Sequence, residues 1–219
     1  MLIKRLDRLA TGRHVIAALV VALALLLAAN AFSSYFYHLT GGHGLLDLAG
    51  GRNALTFRTG YTPDDAYALL THWGPVGRHD QLRFTLTLDV LVPPATWMFL
   101  TLALLYVTRP FAAARWQRLL AVLLPTAYLA FDYGENVAIL AMVSAFPNRV
   151  DGVAAVGGAL WTGKTVMSDL AVCALLLGLI IWLVGLCIEH QRRRALHRKI
   201  VDDSVFDQGV WSWRGDSNS

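Results

Sequence analysis

Residues 131–138 read FDYGENVA and place Asp132, Glu135 and Asn136 inside the apolar run LLAVLLPTAYLAFDYGENVAILAMVSAF. At helical spacing i, i+3 and i+4 these three side chains share one face. A lipid-facing acid costs at least a few kcal/mol, so that face must meet protein or a wet cavity. The run therefore implies a helix through a bilayer whose polar stripe is covered by other helices.

The rest of the chain fits that inference. Of 219 residues 56% are hydrophobic and only 16% charged, against about a quarter charged in soluble domains. Four apolar runs, about 14–36, 83–107, 117–145 and 159–188, each approach or exceed the ~20 residues that span a bilayer. The first is long for a signal-peptide core, and NAFSSYFYH offers no small-x-small cleavage site, so it reads as a retained helix. The expected fold is all-α: a four-transmembrane-helix bundle over residues 1–190, with a long outer loop over 37–82. Residues 191–219 read as a basic, then disordered tail.

Lys and Arg are about twice as abundant in the segments flanking the inner helix ends (Lys4 to Arg13, Arg109 to Arg118, Arg192 to Lys199) as in the remaining loops. This predicts both termini on the cytoplasmic side, as does an even number of spans. The net charge of +4 is thereby accounted for without nucleic acid. The HQRRRALHRK segment reads as an orientation signal that can also touch anionic headgroups. Cys173 and Cys187 lie on one helix, about 21 Å apart by helical rise, too far to bridge; both are assigned to packing.

Within the outer loop, YTPDDAYALLTHWG predicts a short helix. Thr62 is the N-cap, Pro63 the first position, Asp64 and Asp65 the first turn and Gly74 the stop. Its apolar face of Tyr67, Leu70 and Trp73 suits a bilayer surface or the cap of a bundle. The glycines of AVGGALWTG read as a turn at the mouth of the fourth helix.

Four acids fall within the spans: Asp89, Asp132, Glu135 and Asp169. Helical rise places Asp89 about 9 Å, Asp169 about 10 Å, Glu135 about 13 Å and Asp132 about 18 Å below the outer helix ends. Three helices thus bring acids to one level. Thr85, Asp89 and Thr96 form a stripe on the second helix beside Pro93-Pro94, which should leave carbonyls near Asp89 and Val90 without partners. Thr165, Ser168 and Asp169 lie below Lys164 on the fourth helix, and Asn30, Ser33, Ser34 and Tyr37 mark the first. The candidate ligand- or cation-binding residues are Asp89, Asp132, Glu135, Asn136, Lys164, Asp169 and Arg78. Two carboxylates one turn apart cannot both ionise in a dry site without a counter-ion: either one is protonated, or Lys164, Arg78, Arg83 or a metal supplies the charge.

Gly77 and Arg78 before the second helix, Asp89 within it, Asp132, Glu135 and Asn136 in the third and Lys164 in the fourth resemble a pattern of bacterial four-helix integral membrane proteins to which no activity is assigned. The resemblance spans roughly residues 60 to 165. It implies a bacterial cytoplasmic-membrane location and the same set of positions.

Three functions compete. A binding or accessory membrane protein, holding a cation, a lipid headgroup or another membrane protein's helix, ranks first because no catalytic motif is present. An intramembrane enzyme on a lipid or isoprenoid substrate ranks second, with Asp132 and Glu135 as acid and base or, with Asp89, as metal ligands. Oxygen donors of this kind suit a divalent cation such as Mg²⁺ or Ca²⁺; heme, zinc and nucleotide are not expected. A proton- or cation-coupled carrier ranks third, since LLLGLIIWLVGL seals the inner half of the fourth helix.

Overall fold

A computed structural model describes residues 2–39, 60–109 and 115–213. The described residues form five helices: α1 (Leu2–Leu9), α2 (Gly12–Leu39), α3 (Pro63–Thr108), α4 (Arg115–Ala145) and α5 (Asp151–Trp213). The chain divides into two compact units, Met1–Leu176 and Leu177–Ser219. Loop residues 40–59, and the side chains of Asn30, Ser33, Ser34 and Tyr37, lie outside the described residues.

Three of the helices carry stretches long and apolar enough to cross a membrane: Gly12–Ala29, Pro63–Thr108 and Asp151–Gln191. The run 117–145 lies within α4, whose hydropathy is lowered by its own Asp132, Glu135, Asn136 and Pro125.

α3 joins what the sequence separates. Thr62 caps it with a full capping box: Thr62 Oγ1 accepts from the Asp65 backbone N–H at 3.2 Å, and the Thr62 N–H donates to Asp65 Oδ2 at 3.0 Å. The short helix expected over the loop is its first segment, and helix resumes at once after Gly74, which takes φ 63° and ψ −173°. That conformation is open to glycine and costly for any side chain. Pro75 then opens the next segment, as proline does at a first helical turn. The polar stretch 77–82, expected as loop, is helical because its Gly77 and Gln81 are buried on the face that continues to Thr85.

The first segment of α3 covers one end of the bundle. Ala66, Tyr67, Leu69, Leu70 and Trp73 pack against Ile139, Met142, Val143 and Ala154. A clasp closes over them. Arg149 reaches Asp64 at 2.6 Å and Asp151 at 2.9 Å, lies 5.0 Å over the Tyr67 ring, and Tyr67 Oη accepts from the Val150 N–H at 2.6 Å. The Asp64 bond, then the Asp151 bond, holds the Arg149 guanidinium above its ordinary pKa.

The opposite end is held by α1, an element the sequence reading did not foresee. Leu6 and Ala10 are buried with Leu100, Leu104 and Leu105 of α3, Val122 of α4 and Ala171 of α5. Asp7 pairs with Arg118 at 3.1 Å and with Arg109 at 3.8 Å.

α5 begins at Asp151, so Gly157 and Gly158 are helical and form no turn. They are there for contact: Tyr61 lies across them, its hydroxyl at Gly157 and its backbone carbonyl at Gly158. In the second unit α5 continues to Trp213 through the segment expected to be disordered. An i,i+4 pair between Glu189 and Arg193 at 2.6 Å supports it, and no proline interrupts it. Cys173 and Cys187 are exposed on α5 rather than packed.

A methyl at Gly158 would collide with the Tyr61 carbonyl, whereas at Gly152 nothing lies within 4 Å. Gly158→Ala should therefore destabilise the protein by about 1–3 kcal/mol. Gly152→Ala should be neutral or stabilising by up to about 1 kcal/mol. Melting curves of the two variants in detergent check the contrast.

Candidate functional site

The centre of the site is one ammonium between two carboxylates. Lys164 Nζ lies 3.0 Å from Asp132 Oδ1 and also contacts Glu135 Oε2. The side chains of Asp132 and Glu135 are 6% and 2% exposed, that of Lys164 24%. One turn of α4 supplies both acids, because i and i+3 share a face. α5 supplies the lysine, because small residues let the two helices approach. Gly134 lies against Leu160, Ala138 against Gly157 and Gly163 against the Phe131 ring.

Asp89 on α3 joins the cluster from a third helix, close enough to feel the charges of Asp132 and Lys164 and to interact with the Asn136 side chain. Tyr128, one turn from Asp132, is hydrogen-bonded to Thr96 and feels the same three charges. One carbonyl expected to be left free by Pro93-Pro94 is served locally: Tyr133 Oη donates to the Val90 carbonyl at 3.0 Å. Above Asp89 on the same face, Gln81 Nε2 donates to Thr85 Oγ1 at 3.0 Å, both residues being buried.

Tyr61 is the member the sequence reading missed. It precedes α3 and its phenol faces Glu135 and Lys164. Burial, then the charge of Glu135, holds that phenol well above its ordinary pKa. Its hydroxyl makes no hydrogen bond. The available signal was the pair Gly157-Gly158, a surface too close for any residue but one laid flat against it.

Polar atoms of the cluster itself are also left over. Asp132 Oδ2 is buried without a hydrogen-bond partner, and the Asn136 amide nitrogen makes no bond of normal geometry, although Asp89 is beside it. Unsatisfied buried polar atoms are rare in folded proteins and call for an explanation.

Of the seven candidate residues, the structure brings Asp89, Asp132, Glu135, Asn136 and Lys164 together. Asp169 is exposed on α5 and pairs with none of them among the described residues. Arg78 serves the fold instead. It donates to the Leu70 carbonyl at 2.8 Å and lies 4.0 Å over the Phe146 ring, securing the chain where Gly74 breaks the helix. Asp89, Asp132 and Glu135 were the set considered for a divalent cation. Among the described residues no three His, Cys, Asp or Glu side chains are grouped to hold a metal, and Lys164 occupies the place between two of these acids.

Lys164→Met should cost about 3–5 kcal/mol, because it leaves two buried carboxylates without their cation. Adding Asp132→Asn and Glu135→Gln in that background should recover most of the loss, whereas Asp169→Asn alone should change little. Thermal unfolding of the four proteins in one detergent gives the comparison.

No protein-family model, curated protein or solved structure matches the chain.

Proposed function

We propose that the protein is a four-span integral membrane protein of the bacterial cytoplasmic membrane, with both termini inside. Its buried Asp89–Asp132–Glu135–Asn136–Lys164 cluster binds a cationic or hydrogen-bond-donating group reached from the outer side. Three apolar helices support the membrane setting. α4, at 31 residues, is long enough to be the fourth span, and an even number of spans agrees with the Lys and Arg distribution.

The observation that carries the binding reading is the imbalance of charge. Two carboxylates contact one ammonium, a third, that of Asp89, lies close enough to feel it, and Asp132 Oδ2 is buried with nothing donated to it. A phosphate or carboxylate would be repelled from such a site. A primary amine, on an ethanolamine headgroup or a partner's helix, would supply the missing charge and donors together. Binding is ranked over acid–base catalysis because the sequence carries no catalytic motif and Lys164 already holds Asp132 and Glu135 as its counter-ions.

Thermal stability of the purified protein is the test, with ethanolamine, phosphatidylethanolamine, Mg²⁺ and Ca²⁺ as probes. The amine probes should raise the melting temperature by several degrees in the wild type and not in Asp132→Asn, with neither metal acting. Stabilisation by Mg²⁺ or Ca²⁺ that both Asp132→Asn and Glu135→Gln abolish would replace this reading with a metal site. Chemical conversion of an added lipid or isoprenoid would replace it with an enzyme.

A further inference from the structure

At the end of the first unit opposite the Arg149 clasp, α1 presents two different faces. Ile3, Leu6 and Ala10 turn inward against α3, α4 and α5. Asp7, on the margin of that face, is occupied by Arg109 and Arg118. Lys4, Arg5 and Arg8 occupy the outer face and are exposed. Arg13, at the start of α2, and Arg115, one turn before Arg118 on α4, are exposed at the same end. None of these five cations is paired with an acid among the described residues, Asp7 being engaged elsewhere.

Apolar groups border the charges. Leu9 is 47% exposed beside Arg8, and Trp116 is 62% exposed beside Arg115. An exposed tryptophan next to arginines at the end of a spanning helix is suited to the headgroup level of a bilayer. A basic helix face edged by leucine is the pattern of an interfacial element.

We infer that α1 is an anionic-phospholipid site: Lys4, Arg5 and Arg8, with Arg13 and Arg115 alongside, hold phosphate-bearing headgroups such as phosphatidylglycerol, while Leu9 and Trp116 lie among the acyl-chain ends. The pairing of Asp7 with Arg109 and Arg118 is what makes the face uniformly positive. It neutralises the one acid of α1 and ties the helix to Arg109 and to Arg118 of α4. The site is independent of the carboxylate cluster and uses the opposite charge.

The test is retention of lipid by the full chain, read by native mass spectrometry and by melting temperature. Phosphatidylglycerol and phosphatidylcholine are compared in the wild type, in Lys4→Gln/Arg5→Gln/Arg8→Gln and in Arg193→Gln/Arg194→Gln. The wild type should retain and be stabilised by phosphatidylglycerol over phosphatidylcholine, an effect weakened by added salt. The α1 variant should bind it on the order of a hundredfold more weakly, at about fivefold per charge removed. The α5 variant should behave as wild type, and Asp132→Asn should leave the effect intact.

Equal response of the wild type to both lipids would overturn the proposal, as would an α1 variant that binds like wild type or an effect carried by Arg193 and Arg194. Glycerol phosphate at the same phosphate concentration should have no effect; if it matched the lipid, the site would be one for free phosphate. If the triple variant does not fold, Lys4→Gln/Arg5→Gln is read in its place, with the salt series on the wild type as the second measurement.

Discussion

The ion cluster of Lys164 with Asp132 and Glu135 sets the conditions under which the rest of the first unit can fold. Three charges in an apolar bundle are tolerable only in contact, because each is expensive to bury alone. The contact demands that α4 and α5 lie close and in one register. Gly134, Gly157, Gly158 and Gly163 supply the closeness, and the ions supply the register. A slide of one turn between the two helices would part Lys164 from both acids. In this reading the glycines and the ions are one device.

The two ends of the unit are secured by a different class of interaction. Arg149 with Asp64 and Asp151 at one end, and Asp7 with Arg109 and Arg118 at the other, are ion pairs with substantially exposed members. Exposed pairs contribute little stability. Their role is to orient: one holds the first segment of α3 over the bundle, the other holds α1 across it. The stability at each end comes from the apolar faces beneath, Tyr67, Leu69, Leu70 and Trp73 at one and Leu6 and Ala10 at the other.

The helical class and the convergence of Asp89, Asp132, Glu135, Asn136 and Lys164 were legible from spacing, because an acid inside an apolar run has few tolerable surroundings. The capping of α3 at Thr62 was legible for a local reason, the Thr-Pro-Asp-Asp order. What was not legible depends on which side of a helix faces protein. Periodicity cannot separate a core-facing from a lipid-facing residue when both are apolar, so Cys173 and Cys187 were assigned to a core that does not reach them. The same ambiguity hid Tyr61, whose place is set by two glycines nearly a hundred residues away. Composition also misled over 77–82, where polar residues read as loop although Gly77, Gln81 and Thr85 make one buried face.

Buried ion pairs as a class are weak evidence for stability, since well-packed apolar residues of the same volume often stabilise more. A cluster whose sole purpose was to join α4 to α5 would need one acid and one base, and would leave nothing unsatisfied. Here α4 carries two acids on one turn, α3 adds a third, and Asp132 Oδ2, the Asn136 amide and the Tyr61 hydroxyl are left without good partners. These are not the features of a fastener. On the binding reading proposed above, this excess of acceptors and negative charge calls for a ligand that brings positive charge and hydrogen-bond donors.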